Sequence, residues 1–485
     1  MIDRLIIKNF RSLKDVDLKL GKINAFVGPN NSGKTNIMNA LNIVLRDFYP
    51  SRRVFDDTDF FHYLQADIEI TVIFDAPLAS YPGPQGFTVR YDGNEFDYLA
   101  TDSQGNTLQW PRGNDIRVSN DMRNEIPLMN IGINRQAYQQ LRPTKWTIYG
   151  KILKAIDTQI SELEKREYEE EVEGAYNTHL KPHLAEFERV MIEYTKQHTG
   201  LDLDFQLSTI DPTETLKGVR PYIRDDILNI NFDMEKTGQG VQSALALALA
   251  RAYCDIVKSS LILAIEEPEL YLHPHGCRHF YSILQYLANN GFQIVYTTHN
   301  RSFIDIMNYR DIHLVRKTGS ETVVTSGLSF TITPSEALKL YSMCDDRINE
   351  MFFADKVILV EGAVDQICCR SAFDEMGDNL DENNVSIIEC LGKNEIIHLA
   401  SILKNFKVEC YTIFDGDAVD EIGEAETLLG AGYVFTQNPN DLEGMLGLPL
   451  GEKWKKKEAV IEAPMWFSSN PMPIMYTELK TKIFG

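Results

Sequence analysis

Residues 28–35 read GPNNSGKT, which fills the spacing G-x-x-x-x-G-K-[ST] in full. Gly28 and Gly33 permit a tight loop, and the backbone N–H groups across Asn30, Asn31 and Ser32 can surround phosphate oxygens. Lys34 is long enough to reach terminal phosphates. Thr35 offers a hydroxyl to Mg²⁺ and opens a helix whose dipole favours anions. The apolar run INAFV (23–27) precedes the loop, and TNIMNALNIVL (35–45) follows with Ile37, Leu41, Val44 and Leu45 at helical spacing. Strand, glycine loop and helix is the order that binding a nucleoside triphosphate requires, so ATP is the expected ligand.

Nucleotide hydrolysis needs carboxylates beside that loop. LILAIEEPEL (261–270) supplies them: an apolar strand from which Glu266 and Glu267 emerge. Glu266 stands where an aspartate is usual and is expected to hold the metal through water. Glu267 is the candidate for orienting the attacking water. Alone, two adjacent glutamates would read as solvated surface, and the upstream loop favours the functional reading. Just past the strand-like QIVYT (293–297), His299 is placed to sense the terminal phosphate. KTGQGVQSALALALA (236–250) opens a buried helix with Gly238, Gly240 and Gln242. It reads either as a simple helix cap or as a loop offered to a neighbouring protomer's nucleotide.

A second acidic set lies far downstream. VILVEGAVD ends an apolar strand at Glu361, with Asp365 one helical turn beyond. YTIFDGD ends another at Asp415, with Asp417 two residues on and on the same face of an extended chain. Four carboxylates at the ends of neighbouring parallel strands would meet in the crevice of an α/β sheet. They would repel one another unless Mg²⁺ or Mn²⁺ neutralised them, and such ions can activate water for phosphodiester cleavage.

These motifs need two α/β units to position them. Strand-like stretches RLIIKNF, VDLKL, ADIEITVIF, LILAI, QIVYT and IHLVR belong with the first. KVILV, VSIIE and CYTIF alternate with helical stretches in the second, so a parallel sheet is expected there. Between about residues 148 and 198 the pattern is helical, with Ile152, Ile156, Ile160 and Leu163, then Tyr168 through Tyr194, and Pro182 expected to offset the second series. That segment is either an amphipathic surface helix or an interaction arm. The domains are read as 1–345, with the helical insert at about 148–198, and 346–485.

The chain has 485 residues, 44% hydrophobic and 24% charged, and a formal net charge of −22. That charge argues against broad electrostatic wrapping of nucleic acid but leaves room for a local basic groove or metal-neutralised site. Seven scattered cysteines with no C-x-x-C pair indicate neither a disulfide framework nor zinc. No secretory signal or membrane span is read, and SALALALARAYC is stopped by Arg251. The expected setting is the cytoplasm.

The first set of motifs, with IIKNFRS at the opening and EPELYLHP after the acidic pair, resembles ABC-type ATPases of the RecF, SMC and OLD kind over roughly residues 1–320. The resemblance implies ATP held between two heads, and hence a homodimer. The second set resembles the Toprim domain over roughly residues 355–445, with Gly392 and Lys393 in LGKNEI matching its intermediate loop. Glu443 resembles a further acidic, metal-binding position of that domain. A late lysine assists catalysis in the family, and within KWKKK (453–457) Lys457 is the candidate. The fusion resembles the OLD (overcoming lysogenization defect) nucleases. This implies an ATP-regulated, metal-dependent endonuclease or nickase acting on DNA, often in bacterial defence against phage, where partner proteins are common. Two alternatives stay open: an ATP-driven DNA-binding or scaffolding module that does not cut, and a Toprim enzyme acting on RNA.

Overall fold

The alternation in IDRLIIKNF folds as strand β1 (Ile2–Phe10), burying Ile2, Leu5, Ile7 and Phe10. It pairs antiparallel with β2 (Leu13–Lys19) through a turn of only Arg11 and Ser12, shorter than the RSLKD stretch suggested. Strand β3 (Ile23–Val27) is buried throughout and leads through the phosphate loop into helix α1 (Lys34–Leu45). Strands β4 (Ile68–Phe74), β5 (Gly86–Tyr91) and β6 (Phe96–Thr101) extend the first sheet in the antiparallel order β2-β1-β4-β5-β6. The computed structural model describes residues 1–46, 49–63, 66–132, 140–144, 147–203, 205, 212–225, 230–232, 236–257, 261–270, 272–333, 347–437, 442 and 455–485.

The described chain divides into two compact units, residues 1–130 with 264–485, and residues 131–263. After β7 (Leu128–Ile131), the second unit is mainly helical: α2 (Ile148–Asp157), α3 (Glu162–Ala175), α4 (Lys181–Thr199) and α5 (Pro212–Gly218). A short antiparallel pair, β8 (Ile223–Asp225) and β9 (Ile230–Phe232), and helix α6 (Gln239–Val257) follow. Ser161 and Glu164 form a reciprocal capping box that starts α3. Five π-helical residues, Tyr176–Leu180, join α3 to α4, and Pro182 falls in the first turn of α4, where its missing N–H costs nothing. The offset expected at Pro182 is therefore a widened turn that keeps the arm continuous. Within α6, Gly240–Val257 is long and apolar enough to cross a membrane by length and composition, despite Arg251. It buries Ala246, Leu247, Leu249, Ala250 and Tyr253 and packs against α2, as a core helix does.

Strand β10 (Leu261–Glu266) is buried along its whole length. Helix α7 (Pro274–Asn289) and strands β11 (Phe292–Thr298), β12 (Ile312–Thr318) and β13 (Glu321–Ser326) complete a six-stranded sheet ordered β13-β12-β3-β11-β10-β7. Both β11 and β12 run parallel to β3, so the phosphate loop and His299 emerge at the same sheet end.

The third sheet is wholly parallel. Strand β14 (Lys356–Val360) leads to α8 (Ala363–Glu375), then β15 (Val385–Glu389), α9 (Lys393–Asn405), β16 (Glu409–Asp415), α10 (Val419–Leu429) and β17 (Val434–Gln437). Its order, β15-β14-β16-β17, reverses direction between β14 and β16, so their carboxyl ends open a crevice. Helices α11 (Lys456–Ser469) and α12 (Ile474–Phe484) close its core with Ala463, Phe467, Tyr476, Leu479 and Ile483. Cys277, Cys368, Cys369, Cys390 and Cys410 are free and buried.

In the six-stranded sheet His313 is fully buried, stacked on Phe26 at 5.0 Å. Asn24 donates its amide hydrogens to the carbonyls of Gly21 and Ile294, so its Oδ1 is left to accept from His313 Nε2 at 3.1 Å. The Nδ1 atom of His313 has no hydrogen-bond partner, which suits a neutral ring. Burial lowers the His313 pKa to about 4. The unfolded chain therefore takes up this proton first as pH falls through about 6.5, and stability is lost from there down to the folded value. Between pH 7 and pH 5, wild type should lose about 2 kcal/mol more unfolding free energy than His313→Gln. Urea titrations at the two pH values measure this difference.

Candidate nucleotide and metal sites

The two glycines of the phosphate loop are required by close packing. Gly28 has φ 150°, and a Cβ there would lie 2.0 Å from the Val315 carbonyl oxygen. Gly33 has φ 109°, and a Cβ there would lie 2.2 Å from Thr322 Oγ1. That hydroxyl donates to the Ser32 carbonyl at 2.8 Å and so pins the loop to β13. Lys34 is buried and folds back over the loop, donating to the carbonyls of Gly28 (2.9 Å) and Pro29 (2.8 Å). Asn30, Asn31 and Thr35 are exposed at the loop mouth, while Ser32 is buried against Lys34. The loop is thus preformed, and Lys34 Nζ occupies the space that phosphate oxygens would share.

Three carboxylates cluster at the end of β10, and two of them, Glu267 and Glu269, act on the loop lysine. Burial lowers the Lys34 pKa to about 8, against the opposing pull of Glu267 and Glu269. Glu266 is buried at the strand end, and burial followed by Glu267 raises its pKa. Glu267 adopts a left-handed φ of 46° and donates its N–H to the Thr297 carbonyl at 2.9 Å. His299 Nε2 lies 3.9 Å from Glu267 Oε1. This is a neutral contact, because burial first and then Lys34 lower the His299 pKa to about 4. Glu269 Oε1 accepts from the His299 N–H (2.7 Å) and from Thr298 Oγ1 (2.9 Å). It fixes the backbone that carries the histidine. A cavity of about 570 Å³ opens here, lined by Glu267, Glu269, Leu270, His299, Asn300 and Arg301 among others. In the loop opening α6, Gln242 is buried and donates to the Thr237 carbonyl at 3.2 Å. Gly238 and Gly240 supply the helix start, so in this form the loop acts as a cap.

The second crevice gathers Glu361, Asp365, Asp415 and Asp417 at the ends of β14 and β16. Burial raises the Glu361 pKa, followed by repulsion from Asp365 and Asp417, with Lys393 opposing. Asp365 sits in the first turn of α8, where its Oδ2 accepts the Gly362 N–H at 2.9 Å. Gln437, at the end of β17, donates from Nε2 to Asp365 Oδ1 and to Asp415 Oδ1, both at 2.9 Å. Asp417 is exposed. Among the described residues, no group of three or more His, Cys, Asp or Glu side chains is gathered tightly enough to enclose a metal ion. The four carboxylates ring one crevice without closing on a point. The physical reason is mutual repulsion, with Asp365 and Asp415 held by neutral donors instead. The donor set is hard oxygen and carries excess negative charge, so its chemistry fits a hard divalent cation held by Glu361, Asp415 and Asp417 with Asp365 beside them. When bound, such a cation supplies Lewis acidity for phosphodiester hydrolysis.

Lys457 is exposed on the first turn of α11. Lys393, at the start of α9, is the cation set beside Glu361, and its Nζ lies 3.7 Å from Glu421 Oε1. Glu443 lies outside the described residues.

Residues 23–305 match a family described as an AAA domain, putative AbiEii toxin, type IV TA system. Residues 352–417 match the overcoming lysogenization defect protein-like TOPRIM domain. The chain is 24% identical over 463 residues to the Old nuclease of Escherichia phage P2, covering 86% of this chain and 77% of that one. It is 30% identical over 451 residues to the OLD nuclease of Thermus scotoductus, covering 88% of this chain and 84% of that one. The chain belongs to the OLD nuclease family. It is an ATPase fused to a Toprim nuclease, and it uses a nucleotide and a divalent metal. This member of the OLD family also carries two site residues that sequence reading missed. Glu269 lies in the EEPEL stretch, where a third acid so close to the pair was a usable signal. Gln437 had none, since a lone glutamine in VFTQ matches no motif.

If Glu269 holds the His299 backbone in place, Glu269→Ala should lower ATP turnover by roughly a hundredfold. Nucleotide binding should persist because the loop and Lys34 are intact. Phosphate release and fluorescent-nucleotide titration would separate the two effects.

Proposed function

We propose that the protein is an ATP-regulated, Mg²⁺- or Mn²⁺-dependent DNA endonuclease or nickase, acting as a cytoplasmic homodimer in defence against phage. The observation that carries the regulatory part is a short 3₁₀ turn, Ile348–Phe352, wedged between the nucleotide sensor and the Toprim sheet. Asn349 is buried, and its Nδ2 donates to the carbonyls of Arg301 (3.2 Å) and Ile304 (2.9 Å), directly after His299. Glu350 contacts Arg301 at 3.8 Å on one side and accepts from Ser386 Oγ of β15 at 3.0 Å on the other. Phe352 packs edge-on against Phe406 at the end of α9. A shift of the His299 loop on nucleotide binding would thus press on the sheet that carries the metal-binding acids.

DNA is favoured over RNA by the family resemblance, and the metal chemistry suits either. The names of the two matched families, one of a lysogenization defect and one of a toxin, support the antiphage reading. A companion protein would fit that setting. Dimerisation is supported by the arm: Leu180, Leu184, Phe187, Met191 and Tyr194 are all exposed and follow the alternating four–three spacing of a helix-pairing seam. The scaffold alternative is disfavoured because a module that does not cut has no need for a self-repelling acidic crevice.

Plasmid cleavage with Mg²⁺ or Mn²⁺, with and without ATP, tests the central reading. Wild type should cut only with metal, and Asp415→Ala should not cut while hydrolysing ATP at the wild-type rate. Loss of ATP hydrolysis in that variant would contradict separate sites. Lys34→Ala should lose ATP turnover, and Asn349→Ala should keep turnover while ATP no longer changes the cutting rate. For the arm, Leu184→Glu with Met191→Glu should convert a dimer to a monomer by light scattering.

A further inference from the structure

Gln437 is 2% exposed and lies opposite Asp415 in the parallel register of β17 and β16. Its single amide nitrogen bridges two carboxylates from different elements, Asp365 on α8 and Asp415 on β16. Its Oε1 is buried with no hydrogen-bond partner, so the side chain forgoes one interaction to make the other two. The neighbouring core residues Tyr411, Ile413, Phe435 and Leu442 are otherwise hydrophobic, and an apolar side chain at the strand end would serve packing alone.

The residue type is selective. A carboxylate accepts only, so a bridge between two of them must donate twice. Lysine or arginine would donate but also cancel the negative charge that a cation needs. Serine and threonine carry one donor, aspartate and glutamate would add repulsion, and asparagine is one methylene shorter. Glutamine alone supplies two N–H donors, no charge and the reach.

We propose that Gln437 is a positioning residue of the Toprim site, fixing the separation of Asp365 and Asp415 so that the crevice receives a divalent cation. It acts through the two carboxylates, as outer partners of metal ligands do. The inference rests on reading this crevice as the cutting site.

The test is Mn²⁺ binding to the full chain without nucleotide, followed by electron paramagnetic resonance, in wild type, Gln437→Met, Gln437→Asn and Asp415→Ala. Gln437→Met keeps size without donors and should weaken Mn²⁺ affinity by about 10–100-fold. Half-saturation of cleavage by Mn²⁺ should shift in parallel, while KM for DNA stays at the wild-type value. The metal-free melting temperature reports whether the variant is folded. Should Gln437→Met fail to fold, Gln437→Asn answers instead, with Mn²⁺ affinity expected to fall by about tenfold or more because one amide cannot span both acids. A folded variant that binds Mn²⁺ within about twofold of wild type overturns the proposal. If wild type itself titrates like Asp415→Ala, the crevice holds no cation, and both the cutting-site reading and this inference fall.

Discussion

Excess negative charge in half-dry crevices is the constraint on which both sites depend. Each lies where parallel strands end, and each gathers more acids than the protein neutralises. At the nucleotide loop, Glu267 and Glu269 act on the ammonium of Lys34, whose own charge is weakened by burial, and Glu267 also repels Glu266. At the Toprim crevice, Asp365, Asp417 and Glu421 all repel the Glu361 carboxylate, and Lys393 opposes them. Burial is the largest cause of the raised pKa values of Glu266, Glu269, Glu361 and Asp365, and a neighbouring carboxylate adds to it in each case. A divalent cation bound at either site would offset that cost, which would link occupancy to the settling of the site.

Between the sites, the connection is short and polar at one end and apolar at the other. Asn349 reads backbone carbonyls, so its grip depends on the path of the chain after His299 and not on any side chain there. Phe406, at the end of α9, packs edge-to-face against both Phe330 and Phe352, at 5.0 and 5.2 Å. Arg316 on β12 adds a second tie, donating to the Ala354 carbonyl just before β14. Packed cores of this kind switch between discrete arrangements more readily than they deform smoothly.

Much of this was legible in the residues. The loop glycines, Lys34, Glu266, Glu267, His299, Glu361 and Asp415 all lie at strand ends because apolar runs specify the strands, and a functional residue at a run's boundary stands out. The strands β3, β10, β11, β14, β15 and β16 were readable for the same reason. What escaped has a common cause. Gln437 and Asn349 are neutral side chains whose importance lies in partners 22 and 48 residues away, and no local pattern encodes a long-range hydrogen bond. Glu269 is the exception: it stands two residues beyond the acidic pair, so its position was legible even though its hydrogen bonds to Thr298 and the His299 N–H were not. Strand β17 is only four residues, two apolar then two polar, so it shows no strand period and its membership of the sheet is decided by pairing with β16. Lys393 is beside the acids because the α9 start folds back toward Glu361, with the Gly392 N–H donating to the Glu361 carbonyl at 3.1 Å.

The net charge of −22 loses its force as an argument against nucleic acid once its location is known. Helix α3 alone carries seven glutamates against one lysine and one arginine, which is five of the excess negative charges. That helix is in the unit of residues 131–263, whereas both catalytic crevices are built on the other unit. Charge on an exposed helix is screened within about 10 Å at moderate salt, so the total charge of the chain is a poor guide to the potential at any one crevice. A divalent cation bound among the crevice acids would cancel part of their negative charge where a phosphodiester has to approach.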